Sequence, residues 1–405
     1  MQEFLQQNQT WLMNLLIPII AGIVGWATNW LAIKMTFYPL QFWGIKPILG
    51  WQGIIPANAG KVAGKSVDLM LGKLLKLEDQ FEKIIPEKVA EKLAPLLQKK
   101  TRETINSTLT QQIPLLWKNA PTSMKEEMYK KAEEDTPKLI TDVMEDLKIN
   151  INEILDIRQM VVDELTTRKQ ILNTIFQKCG ETEFKFIERS GLYFGFLFGI
   201  VQMFIWIYWQ QWWILPLGGL LVGYLTNWLA LKLIFEPREP KKIGPFVLQG
   251  IFLKRQKEVA VEYAKIISSE ILTSEKLFQR IVNGPNARRL FWLVQDHIEA
   301  SVDKSTGYMR TFIQLTTGTK TYQLIKDRIG DEFSDLLPKV ISNAYGYTEE
   351  ALDMESTLRE KMQQLTPQEF EGVLRPAYQE DEWKLILTGA LLGLAAGIGQ
   401  LFLLG

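Results

Sequence analysis

The sequence predicts an all-α integral membrane protein with four transmembrane helices, and three observations support this class. Four apolar blocks are each long enough to cross a hydrocarbon layer about 30 Å thick as a helix. The segment Gly25–Lys34 returns as Gly223–Lys232, 198 residues later. The stretches between the blocks are strongly charged, and their apolar residues recur at helical rather than alternating spacing.

The four apolar blocks give the predicted spans. A backbone in lipid must satisfy its own hydrogen bonds, so each block is expected to be a helix. The first block is too long for a cleavable signal peptide and has no basic residue before it. The predicted spans are 11–37, 190–209, 213–235 and 385–404.

The repeated segment sets the predicted domain organisation. Pro18–Pro39 and Pro216–Pro237 align without a gap at 11 identities in 22 positions. Four residues of the second span also recur in the fourth: Gly191, Gly195, Gly199 and Gln202 return as Gly389, Gly393, Gly397 and Gln400. A search for internal repeats therefore divides the chain into two halves.

Each half is predicted to contain a span, a long cytoplasmic helical region and a second span. Repeat 1 is 1–212, with its charged region at 40–189, and repeat 2 is 213–405, with its charged region at 236–384. Both copies enter the membrane from the same side. This predicts a tandem parallel repeat with a pseudo-twofold axis along the membrane normal.

Basic residues near the span ends predict the orientation. The first ten residues, the 210–212 hairpin and the C-terminal residue contain no Lys or Arg. These three segments are therefore expected outside a bacterial inner membrane, with both charged regions in the cytoplasm. The basic residues of the opposite flanks are Lys46, Lys61, Lys65, Lys185, Arg189, Arg238, Lys241, Lys242, Lys254, Arg255 and Lys384.

Proline and glycine are expected to divide the charged regions into several helices. The predicted breaks are Pro86, Pro95, Pro114, Pro121, Pro137, Gly284–Pro285, Pro338, Pro367 and Pro376. Alternating patterns typical of strands are scarce. The polar pieces Thr101–Gln112 and Ser301–Thr321 are predicted to be linkers or exposed turns.

Composition argues against several classes of function. The 46 basic and 46 acidic side chains cancel, so the net charge does not favour nucleic acid. The single Cys179 and the single His297 exclude a disulfide framework and a His-rich metal site. Ala59–Ser66 ends like a phosphate-binding loop, but Ala59 replaces the first glycine and no strand precedes it. We therefore expect no cofactor, no nucleic-acid partner and no enzymatic activity.

The Thr-Asn pairs place polar groups inside apolar spans, where such groups are costly. One interpretation is hydrogen bonding between helices, worth about 0.6–2 kcal/mol for each amide. The alternative is a polar site on the pseudo-twofold axis, near mid-membrane, bordered by two lysines. Its candidate residues are Thr28, Asn29, Lys34, Thr226, Asn227 and Lys232.

The two lysines are expected to extend to the headgroups instead of serving a site. A proton- or anion-handling role would need a nearby carboxylate, and no predicted span supplies one.

Two further groups of residues, the glycine ladders and a basic group, each allow two interpretations. The glycine ladders of the second and fourth spans predict close helix packing or, alternatively, a substrate groove. A basic group just inside the membrane predicts contacts with anionic lipid headgroups, and the same charges also determine topology. This basic group is Lys241, Lys242, Lys254, Arg255 and Lys257.

The repeated Gly-x-x-Thr-Asn-Trp-Leu-Ala-x-Lys element resembles the YheB-like family of bacterial multi-pass membrane proteins, UPF0754, whose domain has no known function. The resemblance covers nearly the whole chain, including the Gly-Ile-Ile-Pro and Gly-Ile-Phe-Leu segments and the closing span with Gln400. Copy one departs by carrying Ala57-Asn58 where copy two has Lys254-Arg255. The resemblance implies a multi-pass protein of the cell membrane, and it supplies no reaction or substrate.

These observations favour a non-enzymatic organiser, tether or scaffold at the cytoplasmic face of a bacterial membrane. The expected partners are membrane lipids and proteins that bind the cytoplasmic helices through their apolar stripes. The alternative is a transporter or lipid-handling protein that uses the axial Thr-Asn pairs. Four spans leave little room for a solute path, so the alternative would need an oligomer.

Overall fold

The structure is a computed structural model that describes residues 2–45, 49–375 and 382–404. It contains two units. The membrane unit comprises 1–74, 161–266 and 358–405, and the helical unit comprises 75–160 and 267–357. Each unit therefore draws on both halves of the sequence.

The described chain is helical apart from four short strands and the turns between elements. In the first half the helices are α1 (Gln2–Phe37), α2 (Ile54–Ala57), α3 (Ala59–Leu69), α4 (Leu77–Phe81), α5 (Pro86–Gln112), α6 (Pro114–Asn119), α7 (Thr122–Ile149), α8 (Ile151–Ile154), α9 (Ile157–Thr167), α10 (Lys169–Cys179) and α11 (Glu181–Tyr208). A π-helical turn at Met70–Leu74 follows α3.

In the second half the helices are α12 (Ile214–Phe235), α13 (Ile251–Lys254), α14 (Gln256–Glu270), α15 (Ser274–Asn283), α16 (Ala287–Thr306), α17 (Tyr308–Thr317), α18 (Thr319–Val340), α19 (Tyr345–Leu352), α20 (Met354–Gln363), α21 (Pro367–Leu374) and α22 (Glu382–Leu404). A 3₁₀ turn at Ile341–Ala344 precedes α19. The strands are β1 (Trp43–Ile45), β2 (Leu49–Trp51), β3 (Lys241–Ile243) and β4 (Phe246–Leu248).

Four helices of the membrane unit are long and apolar enough to cross a membrane. The candidate membrane-spanning segments are Asn14–Phe37 in α1, Glu181–Tyr208 in α11, Ile214–Phe235 in α12 and Glu382–Phe402 in α22. The prediction of an all-α protein with four candidate transmembrane helices is therefore confirmed. α11 begins earlier than the predicted 190, because no helix breaker separates its charged first turns from its apolar part.

The four spans pack as two close pairs, α1 with α11 and α12 with α22. In the first pair, a Cβ on Gly191 would overlap the carbonyl oxygen of Gly25. In the second, a Cβ on Gly393 would overlap the carbonyl oxygen of Gly219. Only glycine allows backbones to approach this closely. α11 also packs on α12, and α1 on α22, which closes a four-helix bundle.

The core of the helical unit lies among α5, α7, α16 and α18. α5 packs on α7 and α18, and α16 packs on the same two helices. Their apolar stripes meet inside this arrangement, while the charged faces point outward. Buried core residues include Leu93, Leu97, Ile140, Met144, Val294 and Phe333.

Spans α1 and α12 are each followed by a β-hairpin. The first hairpin pairs β1 with β2, and Trp43 lies opposite Trp51. The second hairpin pairs β3 with β4, and Lys241 lies opposite Leu248. Strands of three residues are too short to give a readable period-two pattern, so the sequence did not indicate them.

Three of the predicted helix breaks are wrong. Pro95, Pro137 and Pro338 lie inside α5, α7 and α18. Proline disfavours a helix interior, but these helices gain their stability from burying an amphipathic face. Pro376 lies outside the described residues.

One of the two predicted linkers is wrong and the other is right only at two positions. Thr101–Gln112 forms the second half of α5. Ser301–Thr321 is mostly helical, in α16, α17 and α18, but exposed turns at Gly307 and Gly318 separate these helices. The polar residues are misleading because several of their hydroxyls bond to the preceding turn of the helix. Thr101 Oγ1, for example, is buried and donates to the Leu97 carbonyl at 2.9 Å.

Candidate functional site

Asn29 is enclosed between the first two spans. Its side chain is 0% exposed, and its Nδ2 donates to the carbonyl oxygen of Ile187 on α11 at 2.7 Å. Gly191, one turn further along α11, leaves room for the amide, because a Cβ there would lie 2.7 Å from Asn29 Nδ2. Asn29 Oδ1 is buried and has no hydrogen-bond partner among the described residues. The amide therefore joins α1 to α11 at one of its two ends.

Asn227 makes the corresponding bond in the second pair of spans. Its Nδ2 donates to the carbonyl oxygen of Leu385 on α22 at 2.9 Å, and the side chain is 4% exposed. Gly389 leaves room for this amide, since a Cβ there would overlap Asn227 Nδ2. Both bonds link residues 158 positions apart in the sequence.

The two threonines bond within their own helices. Thr28 Oγ1 donates to the carbonyl oxygen of Gly25 at 3.0 Å, and Thr226 Oγ1 donates to that of Val222 at 2.8 Å. Each Thr-Asn pair is thus engaged inside its own pair of spans.

Lys34 and Lys232 are exposed. Lys34 Nζ lies 6.0 Å from the centre of the Tyr38 ring. Lys232 Nζ lies 4.9 Å from the centre of the Trp228 ring and 3.9 Å from Glu236. Both ammonium groups therefore have partners near the ends of the spans, where long cationic side chains reach water.

The glycine ladders lie on the faces that meet the partner spans. Gly191 and Gly195 face the backbone of α1, and Gly389 and Gly393 face the backbone of α12. A Cβ at any of these positions would overlap backbone or amide atoms. The third glycines, Gly199 and Gly397, meet Pro18 and Leu215 in the same way, and Gln202 and Gln400 are buried.

A small cavity of about 50 Å³ lies between the spans, towards the ends of α1 and α12. We call it the inter-span cavity. It receives side chains from all four spans and from α13, and most of them are apolar. The lining residues are Ala32, Ile33, Thr36, Gly180, Glu183, Phe184, Ile187, Asn227, Leu231, Ile234, Phe235, Phe252 and Leu385. Of the six candidate axial residues, only Asn227 is among them.

The inter-span cavity also contains a carboxylate that the sequence analysis did not recognise. Glu183 is 3% exposed, and Arg255 Nη1 lies 2.8 and 3.0 Å from its two oxygens. The expectation that no span supplies a carboxylate is therefore wrong, because α11 begins at Glu181. The signal was available: Glu183 is about two turns before the predicted start of the apolar run at 190, without a helix breaker between.

Arg255 belongs to the predicted basic group but is held by carboxylates. Its guanidinium also donates to Glu258 at 2.8 Å. Burial lowers the pKa of Arg255, but the hydrogen bonds to Glu258 and Glu183 outweigh this, so the pKa is raised. The other members, Lys241, Lys242, Lys254 and Lys257, are exposed, and Lys254 Nζ donates to the Val247 carbonyl at 3.2 Å.

The geometry suits apolar contents better than bond-making chemistry. The inter-span cavity offers hydrocarbon walls with one amide and one neutralised carboxylate, which can orient an apolar molecule but provide no free nucleophile. Within 2–45, 49–375 and 382–404, no cluster of three or more His, Cys, Asp or Glu could hold a metal ion.

Four candidate spans packed through glycine faces define a multi-pass helical membrane protein. The chain is a homologue of the UPF0754 membrane proteins, as the Thr-Asn-Trp element indicated. A UPF0754 membrane protein of Bacillus cereus is 26% identical over 155 residues, which is 37% of this chain and 40% of that protein. One of Bacillus anthracis is 24% identical over 190 residues, 45% of this chain and 50% of that protein.

The chain spans about half the length of the curated relatives it matches. No protein-family model matches it, and no solved structure matches it.

Proposed function

We propose that the protein is a non-enzymatic membrane scaffold, in which the membrane unit is the anchor and the helical unit binds protein partners. The observation that best supports this is the use of both asparagine amides as joints between spans. Asn29 and Asn227 each donate to a carbonyl of the neighbouring span. An anchor needs such fixed joints, whereas a solute path needs polar groups that stay free for the solute.

The helical unit offers apolar side chains to partners. Trp292 on α16 and Leu315 on α17 are largely exposed, although α16 buries Leu290, Val294 and Ile298. Exposed tryptophan is enriched at protein–protein interfaces. These residues support a partner-binding role for this unit.

Photo-crosslinking from native membranes tests the scaffold. A photoreactive phenylalanine at Trp292 or Leu315 should capture one protein reproducibly, and the same residue at the exposed Lys130 should not. Replacing Trp292 with Ala should weaken capture from Leu315. Equal labelling from all three positions, or capture of lipid alone, would remove the support for a partner-binding unit.

Flux into liposomes separates the scaffold from a transporter. We expect the purified protein to cause no solute uptake and no lipid movement between leaflets. Uptake or lipid movement that disappears in the double variant Asn29→Leu/Asn227→Leu, with folding retained, would overturn the scaffold proposal.

We further propose that the two halves form a tandem parallel repeat about a pseudo-twofold axis. Exchanging α1 with α12 and α11 with α22 reproduces the set of contacts among the four spans. Exchanging α5 with α16 and α7 with α18 does the same among these four helices of the helical unit. This invariance supports an axis relating the two copies in each unit.

Distances between spin labels test the repeat. Labels at Leu15 and Tyr193 should be as far apart as labels at Trp213 and Leu391, the positions 198 residues later. All four side chains are exposed, so the labels should not disturb packing. Clearly different mean distances would contradict the pseudo-twofold relation.

The proposed topology places the N-terminus, the 210–212 hairpin and the C-terminus outside and the helical unit in the cytoplasm of a bacterial inner membrane. The distribution of Lys and Arg supports it. A cysteine at Gln210 should react with an impermeant thiol reagent in intact cells, and one at Lys257 should react only after lysis. Both side chains are exposed, so the reverse pattern would invert the orientation.

A second candidate function is lipid handling, and the inter-span cavity is the observation that favours it. Its apolar wall and the amide of Asn227 suit a hydrocarbon chain with one polar group. Native mass spectrometry should then find a lipid retained by the wild type and lost from Ala32→Phe, which fills the cavity. Asn29→Leu, away from the cavity, should keep the lipid; equal loss in both variants would count against this function.

A further inference from the structure

We infer that the two β-hairpins are interfacial anchors that bind the phospholipid headgroup layer of the leaflet in which α1 and α12 end. The first hairpin, β1 with β2, would insert the side chains of Trp43 and Ile45, and the second, β3 with β4, would hold anionic headgroups through lysine. This inference needs the spans to lie in a membrane and does not depend on the scaffold role.

Each hairpin is fixed at the end of its span. The amide of Gly53 donates to the Pro39 carbonyl at 3.0 Å, and that of Gly250 donates to the Pro237 carbonyl at 3.0 Å. Gly53 is needed here, because a Cβ would lie 2.6 Å from the carbonyl carbon of Phe37. A strand of three residues reaches only about 10 Å, so both hairpins stay near the level at which the spans end.

A glutamine side chain also closes each hairpin, at corresponding positions of the two copies. Gln52 Nε2 donates to the Leu40 carbonyl at 2.8 Å, and Gln249 Nε2 donates to the Arg238 carbonyl at 3.3 Å. The backbone attachment is therefore alike in the two copies, and only the exposed side chains differ.

The described exposed side chains of β1 are apolar. Trp43 is 78% exposed and Ile45 is 74% exposed. Trp43 lies opposite Trp51, whose Nε1 donates to the carbonyl of Met35 in the last turn of α1 at 3.1 Å. Paired residues share one face of a hairpin, so the exposed apolar face adjoins the end of the span. Tryptophan at this level is typical of the membrane–water interface.

The exposed side chains of the second hairpin are basic and apolar together. Lys241 and Lys242 are exposed, and the residues opposite them, Leu248 and Val247, are partly exposed as well. Lys254 joins this surface through its bond to the Val247 carbonyl. Each of these two pairs shares one face of the hairpin, so both faces combine an ammonium group with an aliphatic side chain. Anionic headgroups next to hydrocarbon match this combination, which is why the proposed occupant is anionic phospholipid.

Insertion of the first hairpin is testable with a fluorophore on Ile45→Cys in lipid nanodiscs. The native thiol need not be removed, because Cys179 is buried and burial raises its pKa to about 12. The control is the same fluorophore on Leu115→Cys in the helical unit, where the native side chain is 77% exposed. Lipids brominated near the headgroup should quench the label at 45 and not that at 115. Quenching of both labels by aqueous iodide to the same extent would overturn the inference.

The lysines are tested by the lipids that the protein retains. In nanodiscs of mixed phosphatidylglycerol and phosphatidylcholine, the wild type should enrich the anionic lipid around itself. Lys241→Gln/Lys242→Gln should lower the apparent association by up to about fivefold for each lysine removed. The control is Lys130→Gln/Lys138→Gln, which removes two charges from α7. An unchanged preference in the first variant, or an equal loss in both, would overturn the headgroup role.

Discussion

The two pairs of spans use the same motif but surround its amide differently. Asn29 and Asn227 donate to the partner span at 2.7 and 2.9 Å. Asn29 is completely enclosed, and its Oδ1 has no partner among the described residues. Asn227 lines the inter-span cavity.

This difference shows that the repeated motif specifies a joint and not a cavity. The joint needs only an amide on one span and a glycine face on the other, and both copies carry these in the sequence. A cavity arises where side chains from several elements leave space unfilled, which depends on neighbours such as Phe252 on α13.

The largest expected effect comes from the glycines beneath the joints. Gly191→Leu and Gly389→Leu should each lower the free energy of unfolding by about 3 kcal/mol or more, because the new side chain overlaps backbone and amide atoms. Gly399→Leu, in the same span as Gly389, should have little effect, since a Cβ at Gly399 meets no atom within 4 Å. Unfolding in detergent measures all three. A cost at 399 equal to that at 389 would mean that helix propensity, not the joint, decides.

A smaller loss of the free energy of unfolding is expected when the carboxylate of Glu183 is removed. Glu183→Ala should destabilise the protein by about 2 kcal/mol, because Arg255 loses a buried partner but keeps Glu258. The control is Glu181→Ala, which removes an exposed partner of Lys185 and should cost about 0.5 kcal/mol or less. If the two variants unfold at the same denaturant concentration, the Glu183–Arg255 pair does not stabilise the folded protein.

Substitution of the two asparagines should show a difference in stability between the two pairs of spans. Alanine at either position should cost about 0.6–2 kcal/mol, because the two hydrogen bonds are alike. Leucine should cost about 1 kcal/mol more at 29 than at 227, since Asn29 is enclosed and Asn227 adjoins free space. Chemical unfolding of the four variants measures the difference. Equal costs for leucine at both sites would contradict the comparison.

The smallest effect on stability is expected at the start of α21, which lies 198 residues after α10 and so corresponds to it in the second half of the sequence. Thr366 and Glu369 form a capping box at its start, whereas the residue preceding α10, Arg168, caps nothing with its side chain. Hydrogen bonds from Lys73 and from the backbone and hydroxyl of Thr366 lower the pKa of Glu369 to about 2.

Because this pKa is lower in the folded state, the stabilisation is present above the ordinary value of 4.5 and is lost as the pH falls towards 2. Between pH 5 and about 2.5, the midpoint temperature of thermal unfolding should therefore fall less steeply for Glu369→Gln than for the wild type. Parallel curves would show that the carboxylate contributes no pH-dependent stability.

Much of the secondary structure of the membrane unit could be predicted from the sequence, because it depends on residues that are close together in the chain. A run of apolar residues must be helical in lipid, and Pro39 and Pro237 end α1 and α12 shortly after Phe37 and Phe235. Helical periodicity also places Gly25, Asn29 and Ala32 on one face of α1. The charged regions were harder, because in α5 and α18 the burial of one face outweighs an internal proline.

The sequence by itself determined four candidate spans and an all-α class, because length, apolarity and spacing act along one helix. Only the tertiary structure decided that Arg255 meets Glu183, 72 residues away, and that Asn227 adjoins a cavity while Asn29 does not. Such pairings depend on how several helices fill the space between them, and that space is shared by residues far apart in the chain.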